Sequence, residues 1–101
     1  MNINREYIIV CNEHKAMFPG CLLFWGHRTQ DEETRSFGGY TSDINKCERY
    51  TAEELYNSGY KFPIYNGENE TDFKKIDDVI IKIDELLAFD WIKTMTVVYR
   101  P

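Results

Sequence analysis

The stretch from Glu70 to Phe89 constrains the fold more than any other part of the chain, because its apolar residues recur with helical spacing. Phe73, Ile76, Ile80, Ile83 and Leu87 follow one another at intervals of three and four, and Val79 and Leu86 widen the same stripe. Lys74, Lys75, Asp78, Lys82 and Glu85 fall largely elsewhere. The pattern predicts one long helix covering a sheet. A strand over Val79 to Ile83 is the competing reading, since four of those five residues are β-branched, and the longer periodic pattern outweighs it.

The sheet beneath that helix is predicted from short apolar runs. Tyr7, Ile8, Ile9 and Val10 lie in a strand spanning 6–11, apolar on both faces and therefore central. Leu22, Leu23, Phe24 and Trp25 give a second strand over 21–26. Phe37 and Tyr40, around Gly38 and Gly39, suit a third over 35–41 with a bulge, paired with the second as a hairpin. Thr96 to Tyr99 supply a fourth over 95–99. Between the third strand and the long helix, Ser42 or Asp43 caps a short helix through Arg49. Thr51-x-x-Glu54 is a capping box that starts a second, stopped by Asn57, Ser58 and Gly59. Residues 60–65 contain Pro63 and are extended, at a sheet edge or across a helix, and 66–69 form a turn.

These elements specify an α+β fold: a three- to four-stranded antiparallel sheet packed on one long C-terminal helix, with one or two short helices between 43 and 58. At 101 residues and 43% hydrophobic positions the chain makes one domain, 1–101, without disulfide staples. The predicted core is Ile8, Val10, Leu22, Phe24, Ile44, Leu55, Phe73, Ile76, Ile80, Ile83, Leu87 and Val97. Fifteen aromatic residues exceed what such a core must bury, so some Tyr or Trp side chains line a contact surface. A homodimer is compatible with that excess.

Charge and motifs exclude more than they assign. A net charge of -5 disfavours direct binding of a nucleic-acid backbone. Three Cys, no leader-like start and no apolar run of membrane length indicate a reduced protein of the cytoplasm. Cys11, His14, Cys21 and His27 are residue types that zinc accepts, but their spacing matches no common zinc site. The cysteines are read as small buried apolar residues, and no metal or cofactor is expected. No nucleophile signature surrounds Cys47 or either histidine, Gly38-Gly39 lacks the features of a phosphate loop, and no enzymatic activity is expected.

Two sets of residues suit binding. Trp25, Arg28, Arg35, Tyr40 and Arg49 combine ring faces with guanidinium forks near one end of the predicted hairpin, the chemistry that holds a nucleotide or an acidic protein surface. The plainer reading puts both aromatics in the core and the three Arg in solvent. Asp31, Glu32 and Glu33, in a polar loop spanning 27–34, and Asp77 and Asp78, on the predicted helix, are carboxylates able to meet a basic channel in a partner.

In the central segment, Leu23-Phe24-Trp25-Gly26 is followed by Gly39-Tyr40-Thr41-x-Asp43-Ile44, by Cys47 and by Tyr50-Thr51-x-Glu53-Glu54. This order, over residues 5 to 56, resembles a recurrent pattern in small proteins of phages and integrated elements. The resemblance implies a fold and a mobile-element setting, with no activity carried on particular residues. Codon-linked composition agrees: forty Phe, Tyr, Ile, Asn, Lys and Met residues stand against seventeen Gly, Ala, Arg and Pro, the bias of a low-GC bacterium or its phages. The expected function is that of a non-enzymatic, anti-CRISPR-like inhibitor contacting a host defence effector that processes nucleic acid. The alternative is a module, or sponge, for a small ligand or signalling nucleotide.

Overall fold

The computed structural model describes residues 4–12, 21–27, 29–30, 33–65, 77–89, 91, 93–94 and 97–98. The sheet is four-stranded and antiparallel, in the order β3-β2-β1-β4. Its strands are β1 (Tyr7–Cys11), β2 (Leu23–Trp25), β3 (Tyr40–Thr41) and β4 (Asp78–Lys82). Two short helices accompany it, α1 (Ala52–Asn57) and α2 (Ile83–Leu87), and a separate pair is formed by β5 (Lys93–Thr94) and β6 (Val97–Val98).

The predicted long helix is the main correction. Its residues 70–76, with Phe73 and Ile76, lie outside the described residues, but 78–82 is a strand, paired with β1 over five positions from Tyr7↔Lys82 to Cys11↔Asp78. Helical spacing in this segment coexists with the contiguous run Val79-Ile80-Ile81. A strand buried on both faces uses every member of that run, whereas a helix would aim part of it at solvent. Val79 and Ile81 face one side of the sheet with Ile8 and Val10, and Ile80 faces the other with Ile9. Among the described residues the helix survives only as α2, which buries Leu86 and leaves Leu87 44% exposed, so Leu87 leaves the predicted core.

That exchange of helix for strand also displaces the predicted fourth strand. With β2 and β4 on its two sides, β1 has no free edge, and Val97–Val98 pairs with Lys93–Thr94 instead. The two-stranded unit still joins the core through Val98, whose carbonyl accepts from the Leu22 amide at 2.9 Å. The hairpin of the second and third strands is present, with Trp25 opposite Tyr40, but β3 shrinks to two residues because Phe37 (φ 55°) and Gly39 (φ 82°) break the extended path before it. The predicted helix over 43–49 is a turn: Asp43 Oδ1 accepts from the Asn45 amide at 2.9 Å. The chain then runs extended so that Cys47 pairs with His27 and Tyr50 with Tyr7.

The sheet buries both faces. On the first, Ile8, Val10, Phe24, Val79 and Ile81 pack with Leu86, Phe89, Trp91 and Val98. On the second, Ile9, Ile80, Leu55 and Tyr50 meet a set of partly buried rings.

Candidate functional site

The second face is shaped by α1. Thr51 Oγ1 accepts from the Glu54 amide at 3.0 Å and Glu54 Oε1 accepts from the Thr51 amide at 2.8 Å, the capping box read from the sequence. The same Glu54 carboxylate receives Nε of Arg5 at 3.0 Å and its terminal nitrogen at 3.1 Å, with Arg35 Nε 3.7 Å away. Burial pushes the Glu54 carboxyl up, and the Arg5 and Thr51 hydrogen bonds outweigh it, so the net shift is downward. The helix is thereby pinned to the chain start, with Leu55 turned onto the sheet and Tyr56 turned away.

Gly59, at φ 85°, reverses the chain after α1, a conformation that side chains resist. Residues 60–65 return along the outer side of β4. Tyr65 donates to the Ile80 carbonyl at 2.8 Å and Ile80 donates to the Pro63 carbonyl at 2.9 Å, a parallel bridge centred on Ile64. Between α1 and this segment lies a groove of about 810 Å³, floored by Tyr7 and Ile80 and walled by Leu55, Tyr56, Phe62 and Ile64. Tyr56 is 88% exposed, Ile64 60% and Tyr60 42%.

Beside the groove the rings form a continuous cluster. Trp25 meets Tyr40, Tyr60 and Phe62 edge-on at centroid distances of 5.8, 5.3 and 5.1 Å, and its indole N–H donates to Asp78 Oδ1 at 3.1 Å. Phe37 stacks on Tyr50 at 4.6 Å. The loop carrying Phe37 is held by the fully buried Glu48. Its Oε1 accepts from the Phe37 amide at 2.6 Å and the Tyr50 hydroxyl at 3.0 Å; its Oε2 accepts from the Ser36 amide at 2.7 Å and the Thr29 hydroxyl at 3.0 Å. Burial, then the charge and hydrogen bond of Glu48, push the Tyr50 hydroxyl well above its ordinary value, so it remains a donor. Gly26 makes room for this arrangement: it sits at φ 83°, and a Cβ there would come within 2.6 Å of Glu48 Cβ.

Of the residues singled out in the sequence, Arg28, Asp31, Glu32 and His14 lie outside the described residues. Trp25 and Tyr40 are neighbours as expected. Arg35 is buried rather than solvated, and donates to the carbonyls of Gln30, Glu33 and Arg49 at 2.6, 3.0 and 3.1 Å. Arg49 is half-buried. Glu33 and Asp77 are exposed, while Asp78 is half-buried and serves as the acceptor for Trp25. Cys11, Cys21 and Cys47 are buried, and His27 is exposed. Among the described residues no His, Cys, Asp and Glu side chains gather into a group able to hold a metal ion. No described helix is long and apolar enough to cross a membrane.

Sequence reasoning missed the groove residues and Glu48. The groove had a signal, the alternation of Tyr60, Phe62 and Ile64, which marks one face of an extended segment. Glu48 had none: nothing local to it announces four donors converging from 29, 36, 37 and 50. Comparison with protein families, curated proteins and solved structures returns no match.

Proposed function

We propose that the protein works by contact with another protein, without chemistry of its own, and that the groove beside α1 is the contact surface. The observation that carries this reading is the concentration of three exposed large apolar side chains, Tyr56, Tyr60 and Ile64, around one concave apolar site. Isolated apolar residues on a surface are ordinary, whereas Tyr-rich apolar patches set around a pocket are the composition of interface cores. The site set around Trp25, Arg35 and Tyr40 is a weaker candidate for a nucleotide, since Arg35 spends its donors on main-chain carbonyls.

The partner class comes from the resemblance to phage and integrated-element proteins: a host defence effector that processes nucleic acid, inhibited by occupation of its surface. The acidic balance and the exposed carboxylates of Glu33 and Asp77 suit an approach to a basic surface. The test is affinity capture from a host lysate with the wild-type protein, with Tyr56→Asp/Ile64→Asp, and with Glu33→Lys/Asp77→Lys. The expected result is near-stoichiometric recovery of one large effector by the wild type and its loss with the groove variant. Equal recovery by the groove variant would overturn the groove as the contact surface. Undiminished recovery with the charge-reversed variant would remove the basic surface from the account.

A further inference from the structure

The outer edge of the sheet beside β4 says what kind of segment the groove receives. In the parallel bridge the main-chain groups of residues 63 and 65 turn toward β4, where Ile80 donates to Pro63 and accepts from Tyr65. The N–H and C=O of Ile64 therefore point the opposite way, off the sheet. Neither Ile64 nor Phe62 makes a main-chain hydrogen bond among the described residues. Pro63 does not blunt this edge as proline commonly does, because its missing N–H is on the inner side, facing β4. Ile64 and Phe62 also present their side chains to the groove, on the same face as Ile80.

The charges around the groove are of both signs. Glu53 on α1 and Lys61 at the start of the edge segment both line it, both are exposed, and neither has an ion-pair partner among the described residues. This contrasts with Glu54, one residue on, which is fully engaged by Arg5 and Thr51. An occupant with a basic residue for Glu53 and an acidic residue for Lys61, separated by apolar positions, is complementary to the whole site.

We propose that the protein binds an extended segment of its partner as an added β-strand along the outer edge of 62–64, with alternate apolar side chains reaching over Ile64 into the groove toward Tyr56. The proposal rests on the groove being the contact surface and specifies the partner's form there. Main-chain pairing gives such a complex its affinity, and the groove with its two charges gives it selectivity.

The test is selection from a library of random displayed peptides on the immobilised protein, followed by affinity measurement on wild type, Ile64→Pro, Ile64→Val and Tyr56→Ala. Proline at 64 removes the outward N–H, which no described residue accepts, so the fold is expected to persist; circular dichroism checks this. Enriched peptides are expected to alternate apolar and polar residues between a basic and an acidic one. Their affinity is expected to fall about tenfold with Ile64→Pro, to fall with Tyr56→Ala, and to be kept by Ile64→Val. Peptides with helical spacing, or peptides that bind folded Ile64→Pro as tightly as wild type while losing affinity to Tyr56→Ala, would overturn strand addition and leave the groove standing. Peptides indifferent to both variants would overturn both.

Discussion

The two faces of the sheet are built from adjacent residues of the same strands, yet they are finished differently. Ile8, Phe24 and Ile81 point to a face closed over by α2 and the segment ending in Val98. Tyr7, Trp25 and Ile80, one residue along in each case or one before, point to a face where rings remain partly uncovered and a groove stays open. The first joins its packing to a main-chain hydrogen bond from Leu22 to Val98, and the second carries side-chain polar devices at its margins: the capping box and ion pair of Glu54, the indole hydrogen bond to Asp78, and Glu48 with its four donors. A face that must keep aromatic side chains in place while part of their surface meets solvent gains from having each loop end fixed.

Truncation on the closed face has the largest expected effect. Phe24→Ala removes a fully buried ring from among Ile8, Val10 and Ile81 and is expected to cost about 4 kcal/mol, read as a fall in the urea midpoint. A loss under about 1 kcal/mol would mean that the face is not the packed core described.

Glu48→Leu sharpens the comparison from the other side. It leaves the Ser36 and Phe37 amides and two hydroxyls without their acceptor and is expected to cost about 3 kcal/mol. Its distinctive sign is local: amide exchange at Ser36 and Phe37 rises more than at Ile8 or Ile81. Uniform loss of protection would show that Glu48 supports the whole fold equally.

The smallest effect is in acid. The Glu54 carboxyl is held below its ordinary value of 4.5, so its contribution to stability is present above that pH and is lost as pH falls through the lower folded value. Arg5→Met, which removes the two shortest hydrogen bonds from a cation to that carboxylate, is expected to flatten the dependence of stability on pH below 4.5 while α1 remains capped by Thr51. An unchanged acid slope would assign the dependence to other carboxylates.

Local signals in the sequence placed several elements, though the Asp43 cap they offered for a helix closes a turn instead. The capping box at Thr51 and Glu54 stands where the residues put it, the central strand predicted over 6–11 is found at Tyr7–Cys11, and the hairpin of the second and third strands is present. The failure at 78–82 has a definite cause. Ile76, Ile80, Ile83 and Leu87 satisfy helical spacing, but five ladder positions against β1, with apolar demand on both faces, decide the segment, and no window of sequence contains β1 and β4 together. Site residues divide in the same way. Tyr60, Phe62 and Ile64 alternate visibly, whereas Glu48 and Arg35 acquire their roles from partners that only the folded chain brings near.

The claim that the grooved face is the working face and the closed face is structural is tested most directly by nuclear magnetic resonance shift mapping with the captured partner. Perturbations concentrated at Tyr56, Tyr60, Phe62, Ile64 and Ile80, with Ile8, Val10, Phe24 and Ile81 unmoved, are the result predicted. Perturbations centred on Leu86, Phe89 and Val98, with the groove residues silent, would contradict it.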